Sequence, residues 1–347
     1  MVFALSFVCE KTVSLPDMED AMKKYNLYVL AVLFTSMLLT SNVVAAPQYS
    51  CSVNSVTLDS IELASGPSGN LLNSGPYDAT NCLGLFLGND NWVQSPSPNI
   101  GELNDGLLNG ENPDPLFKLW NGTEFIDYSF TGEEFVDPSK FQDLDGDGQF
   151  TDPGWIELAR GEVGEGSSSV DLTYNVSDFG NGNSINIGDI LDIKFEFNDG
   201  TKVGTWTLET KPDIVDIVQG IAGRAVTFDH LVFSFKSGNI LAGENNKKGK
   251  KGKPDHAGGS FSLYDFDFEQ IFLNEGAGSG LNFLTPYVLS GTFNMDDFDM
   301  SMSHFGVWVR DPVDNTTTTV IPEPSTLILL GAGLAGLGYY SRRRKKD

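Results

Sequence analysis

The stretch "ILDIKFEFNDGTKVGTWTLE" constrains the fold more than any other in this 347-residue chain. Leu191, Ile193, Phe195 and Phe197 alternate with Asp192, Lys194 and Glu196, the period of two that suits a half-buried strand. Asp199-Gly200 follows, a pair that supplies the positive φ of a tight hairpin, and the return strand carries Trp206 and Leu208. The pattern recurs in "HLVFSFKSGN" through Leu231, Phe233 and Phe235, then in "SLYDFDFEQIF" and "SHFGVWVRD". Strands spaced by Gly, Asn and Asp turns, without intervening helices, predict an all-β fold. The expected form is an antiparallel β-sandwich or jelly-roll-like single domain over residues 46–321. Strand signals are weakest between Gly88 and Asp137, where Pro, Asn and Gly are dense.

Both ends read as targeting segments and stand apart from the fold. Lys23 and Lys24 precede an apolar run from Leu27 to Leu39, and small residues at Val43 and Ala45 fit cleavage before Ala46. This is the three-part layout of a secretory signal peptide, residues 22–45, served by the Sec translocon and signal peptidase. Residues 1–21 fall outside the layout and are expected to be an extension upstream of a start at Met22. Cys51 and Cys82 are then the cysteines of the mature chain. In an exported protein they are expected to form one disulfide, two buried free thiols being the alternative.

Between positions 47 and 321 there are 41 acidic against 14 basic residues, a net charge of about −27. Nucleic acid is therefore not expected as a partner, because phosphate binding needs clustered Lys and Arg. Five of the basic residues fall between Lys247 and Lys253, in a low-complexity loop over residues 244–260. A solvated loop and a basic tether for acidic polysaccharide are both open readings.

"DLDGDGQFTDPGW" is the most informative internal motif. Asp143, Asp145 and Asp147 at alternate positions, followed by Gly148, resemble the opening of an EF-hand-type calcium loop. The twelfth position falls on Gly154, so Asp152 or Glu157 has to supply the closing acid. Structural Ca2+ and a metal-free acidic turn are the two readings. His230, His256 and His304 have no metal-ligand spacing, and no nucleophile elbow is present. Asp265, Asp267 and Glu269 alternate with Phe266 and Phe268 and so are expected on one sheet face. They would be either a solvated acidic face or the carboxylates of a polysaccharide hydrolase. Trp92, Trp120 and Trp155 are candidates for stacking on sugars, or for the core.

The C-terminal tail reads "IPEPSTLILLGAGLAGLGYYSRRRKKD". Gly331, Gly333 and Gly336 match the spacing of a dinucleotide turn, but eleven residues after Gly336 leave no room for a βαβ unit. The uncharged run Thr326–Tyr340 instead suits a single transmembrane helix, with Arg342, Arg343, Arg344, Lys345 and Lys346 as a cytoplasmic stop.

Pro322-Glu323-Pro324, the apolar helix and the basic cluster together resemble the PEP-CTERM sorting signal of Gram-negative bacteria, over residues 322–347. The resemblance implies that Pro322, Glu323 and Pro324 are recognised by an exosortase, a membrane transpeptidase. The body resembles a group of such proteins in "NCLGLFLGND", "DLDGDG" with "PGWIELARGE", "GTWTLE", "FDHLVFSFKSGN" and "SHFGVWVRD", and departs from them in the lysine-rich insertion. That group carries no assigned activity. The expectation is a non-enzymatic, exported surface or matrix protein, anchored transiently by its tail in a setting of exopolysaccharide or biofilm. A calcium-dependent carbohydrate-binding module and a polysaccharide-active hydrolase are the competing readings.

Overall fold

The computed structural model describes residues 50–90, 96–164, 168–180, 182–199, 202–224, 226–237, 259–295 and 302–312. All of them fall within one unit, Tyr49–Asp347. The signal peptide, the lysine-rich stretch up to Gly258, Trp92, His256, and the whole sorting tail lie outside the described residues. Among the described residues, no helix is long and apolar enough to cross a membrane.

Two antiparallel sheets form the body. The larger runs in the order β6 (Phe125–Tyr128), β5 (Phe117–Trp120), β4 (Asn81–Leu87), β14 (Ser260–Asp267), β13 (His230–Ser237), β16 (Met302–Arg310), β7 (Trp155–Glu162), β8 (Asp171–Tyr174). The smaller runs β11 (Leu191–Asp199), β12 (Val203–Thr210), β15 (Tyr287–Asn294), β2 (Ser60–Leu63). Two short pairs lie beside them: β1 (Thr57–Leu58) with β3 (Tyr77–Asp78), and β9 (Val176–Asp178) with β10 (Ser184–Asn186).

The alternating stretch does what its period dictates. β11 and β12 pair with Ile193 opposite Leu208 and Phe195 opposite Trp206, so four large apolar side chains share the inner face. They meet the inner face of the larger sheet, with the Phe195 and Phe305 ring centroids 4.3 Å apart and Trp206 4.8 Å from Phe233. This is sandwich packing. Burying each such side chain contributes roughly 1.5–3 kcal/mol. Trp206 also needs a partner for its indole N–H, which donates to the Thr57 carbonyl at 3.0 Å. β1 reaches that position because it crosses directly over Gly291, where a Cβ would stand 1.8 Å from the same carbonyl. Eight strands facing four make a sandwich, and the order does not by itself make it a jelly roll.

The outer face of the larger sheet carries a second apolar cluster, in which Phe86, Phe117, Phe130 and Phe261 surround one another beside Leu108, Val232 and Trp308. Its cover comes from the irregular segment between β4 and β7. Buried asparagines explain how a segment so poor in strands is held. The Asn109 amide bonds both the N–H and the carbonyl of Trp155, at 3.0 and 2.8 Å. Asn99 does the same for Glu157, at 2.9 Å each way. The two amides satisfy the half of the β7 edge that β8 does not reach, where unpaired backbone groups would be costly.

Two expectations are corrected. Helices do intervene: α1 (Ile214–Ala222) joins β12 to β13, and α2 (Phe268–Glu275) follows β14. α1 buries Ile214 and Val218, four residues apart, and stops at Gly223 in the left-handed region. The strand read through "SLYDFDFEQIF" ends at Asp267, whose carboxylate accepts from Gln270 N at 3.1 Å and starts α2 instead. Asp265 and Asp267 therefore keep one face of β14, while Glu269 leaves it on α2.

Candidate functional site

The aspartate loop is closed at its base by paired backbone bonds between Gln142 and Asp152, 2.9 and 3.0 Å. Gly146 and Gly148, both at positive φ, allow the tight path between. Carboxylate oxygens of Asp143, Asp145 and Asp152 lie within 4.8 Å of one another. Asp147 does not join them; its two oxygens accept from the backbone and side-chain amides of Gln149, at 2.7 and 2.8 Å. Gly154, at the twelfth position, leaves no room for a ligand, since a Cβ there would stand 2.4 Å from Gln142 Nε2. Of Asp152 and Glu157, it is Asp152 that lies beside Asp143 and Asp145, its carboxylate accepting from Leu103 N at 2.8 Å and Leu144 N at 2.6 Å. Glu102 feels the crowding: burial, and then the charges of Asp105, Asp152 and Asp145, hold its carboxyl above the ordinary value.

Arg310, the last residue of β16, and Asp311 just after it fasten this loop to the sheet. Arg310 is buried and pairs with buried Asp229, while its other nitrogens donate to the carbonyls of Pro153 at 2.9 Å and Lys140 at 2.6 Å. Asp311 takes Arg224 at 2.6 Å, and its carbonyl accepts from Gln142 Nε2 at 2.6 Å. Burial pushes the Asp311 carboxyl up to about 6 despite Arg224.

The acids proposed for a hydrolase separate to three different partners. Asp265 is fully buried and bonds His230 Nδ1 at 2.9 Å. Burial alone would lower the His230 pKa, but the bond and charge of Asp265 outweigh it and raise it. Asp267 caps α2, and Glu269 bridges Lys140 at 2.7 Å. Trp155 is core rather than a sugar platform: it is 1 % exposed and edge-on to His230 and Phe135. Trp120 is half-buried beside Phe125. Cys51 and Cys82 form the expected disulfide, tying the start of the described chain to β4.

Glu157 is not at the aspartate loop. It lies on β7 and lines a polar cavity of about 640 Å³ on the outer face of the larger sheet, together with Asp90, Arg160, Asn175 and Ser234. Burial pushes its carboxyl up to about 7, against the opposing pull of Arg160 and Asn175. The cleft brings residues of β7 together with Asp90 and Ser234, which lie far from them in the chain.

Comparison with known proteins bears on the tail. The chain carries a PEP-CTERM protein-sorting motif. The match covers residues 320–345, and so includes Pro322, Glu323, Pro324, Arg342, Arg343, Arg344 and Lys345, while Lys346 lies one residue beyond. No curated protein and no solved structure matches the chain. The PEP-CTERM motif implies export, sorting at the membrane through the C-terminus by an exosortase, and then an extracellular location. A disulfide-bonded, mostly β-sheet body ahead of such a tail agrees with an oxidising destination.

Proposed function

We propose that the protein is a non-enzymatic component of the cell surface or extracellular matrix, delivered by the Sec route. Its tail is held briefly in the membrane, with the basic cluster as the cytoplasmic stop, until an exosortase acts at Pro322-Glu323-Pro324. The body then resides among exopolysaccharide, in a biofilm-like setting. The observation that carries this reading is the PEP-CTERM match at residues 320–345, at the end of the chain. The protein is the substrate of the sorting reaction, not its catalyst. Intact-mass analysis of the exported protein, with and without Glu323→Ala, tests it.

A structural Ca2+ in the aspartate loop belongs to the same reading. Three carboxylates within 4.8 Å, with Glu102 nearby, repel one another unless a hard cation is shared between them. Asp143, Asp145 and Asp152 are the ligands, with Asp147 shaping the turn. Calcium at about a hundred times its Kd would stabilise the fold by about 2.7 kcal/mol. At roughly 2–4 °C per kcal/mol for a domain of this size, chelation should lower Tm by at least about 5 °C. EDTA is expected to produce that drop in the wild type and none in Asp145→Ala. An unchanged wild-type Tm refutes the site.

A further inference from the structure

Strand register fixes the end of the sandwich from which the tail departs. Arg310, the last residue of β16, stands opposite His230 at the start of β13 and Trp155 at the start of β7. His230 in turn stands opposite Asp267 at the end of β14. Four segments therefore emerge together: the aspartate loop before Trp155, the turn before His230, α2 after Asp267, and the chain leaving through Asp311. Asp311 is pinned there by Arg224 and Gln142, so the path to the sorting tail starts at this end.

The same end carries the most exposed large apolar side chains among the described residues: Phe150 on the aspartate loop at 73 %, Leu273 on α2 at 65 % and Leu284 ahead of β15 at 56 %. The others lie at 48 % or below. Two links join the three segments. Lys140, just before the aspartate loop, bridges Glu269 at 2.7 Å, and Leu273 lies one turn beyond Glu269 on the same side of α2. The Phe272 and Phe283 rings, 4.9 Å apart, join α2 to the segment bearing Leu284. Behind them lies an apolar cavity of about 100 Å³, lined by Ile214, Val218, Phe268, Phe272, Phe283 and Tyr287. Leu273 and Leu284 each adjoin a residue of its wall, so they extend an apolar surface, whereas scattered exposed leucines would signify nothing.

The sequence beyond Pro312 says what meets this surface. Residues 313–325 separate Pro312 from the apolar run that starts at Thr326, and fully extended they span at most about 45 Å. With that run in the bilayer, the end bearing Phe150, Leu273 and Leu284 is tethered within reach of the membrane. Tethering raises the effective concentration, so a contact too weak for a free body becomes effective. Charge decides how the two touch. Asp143, Asp145 and Asp147 precede Phe150 and are repelled by anionic headgroups. Recognition is therefore through hydrocarbon, with the apolar side chains sunk roughly 5–10 Å into the interface.

We propose that this end of the body is a membrane-docking face, on which Phe150, Leu273 and Leu284 enter the lipid interface while the tail is inserted. Docking keeps Pro322-Glu323-Pro324 close to the bilayer, where a membrane transpeptidase works. It rests on the reading of Thr326–Tyr340 as a membrane anchor, so the two are measured separately. The mature chain with its tail, from an exosortase-deficient host, is reconstituted into phosphatidylcholine vesicles, and flotation in carbonate reads tail insertion. Cys51 and Cys82 are bonded to each other, so a single added cysteine takes a fluorophore. Brominated phosphatidylcholine should quench the label on Asn274→Cys, beside Leu273. It should leave unchanged the label on Asp171→Cys, opposite Glu162 at the other end of β7. Phe150→Ser/Leu273→Ser/Leu284→Ser should float and lose the quenching at Asn274. Its Tm should stay near the wild-type value, because all three side chains are exposed. Floating protein whose Asn274 label is not quenched overturns docking and leaves the anchor standing, as does a triple variant quenched like the wild type. A label shielded from aqueous iodide but unaffected by bromine assigns the face to a second copy and also overturns it. Protein that does not float overturns the anchor, and docking with it.

Discussion

Arg310→Met is expected to destabilise the body by about 3–5 kcal/mol, the cost of breaking a buried ion pair by removing one partner. Asp229 is buried with Arg310, and its second oxygen already lacks a partner among the described residues. Without the guanidinium, that carboxylate and the carbonyls of Pro153 and Lys140 are left together without their donor. Methionine fills most of the space, so the loss reads out the charge and hydrogen bonds rather than a cavity. The double variant Asp229→Leu/Arg310→Met should recover part of the loss, because a well-packed apolar pair removes the stranded charge. Urea midpoints measure both. A single variant within about 1 kcal/mol of wild type would show that Arg310 does not fasten the aspartate loop to the sheet.

Loss of the disulfide is the second large effect. Cys51 and Cys82 are 31 residues apart in sequence, with their Cα atoms 6.0 Å apart. Closing a loop of that length in the unfolded chain contributes about 3–4 kcal/mol on the chain-entropy estimate. The bond also anchors the start of the described chain to β4, an interior strand of the larger sheet paired with β14. Cys51→Ala/Cys82→Ala should lose that much unfolding free energy, read from its denaturant midpoint and slope, and reduction of the wild type should reproduce the loss. A reduced protein as stable as the oxidised one contradicts this.

Legibility differed between elements for physical reasons. The β11–β12 pair was plain because alternation, a turn dipeptide and two buried faces all pointed the same way. The end of β14 was hidden. Phe266, Phe268, Ile271 and Phe272 satisfy a strand period at first and a helical one afterwards, and the side chain of Asp267 makes the break as a cap. α1 was missed because nine residues of "IVDIVQGIA" are rich in β-branched types that normally favour strands. At the sites, the aspartate loop was readable since its carboxylates are local in sequence. The cleft was not, since Glu157 and Arg160 meet Ser234 only through the register of three strands, and Asp90 reaches Ser234 from the turn after β4. One local clue existed: Ser234 and Lys236 replace apolar residues on the outward face of β13, where Val232 still belongs to the second apolar cluster.

The PEP-CTERM tail remains the feature that fixes where the protein goes, and its processing can be read directly. Intact-mass measurement of the protein recovered outside an exosortase-bearing host should show the basic cluster and apolar run gone, with the new end at or beside Pro322-Glu323-Pro324. The same protein from an exosortase-deficient strain, or carrying Glu323→Ala, should keep its tail through Asp347. An extracellular protein that retains Asp347 in the exosortase-bearing host would contradict the sorting reading.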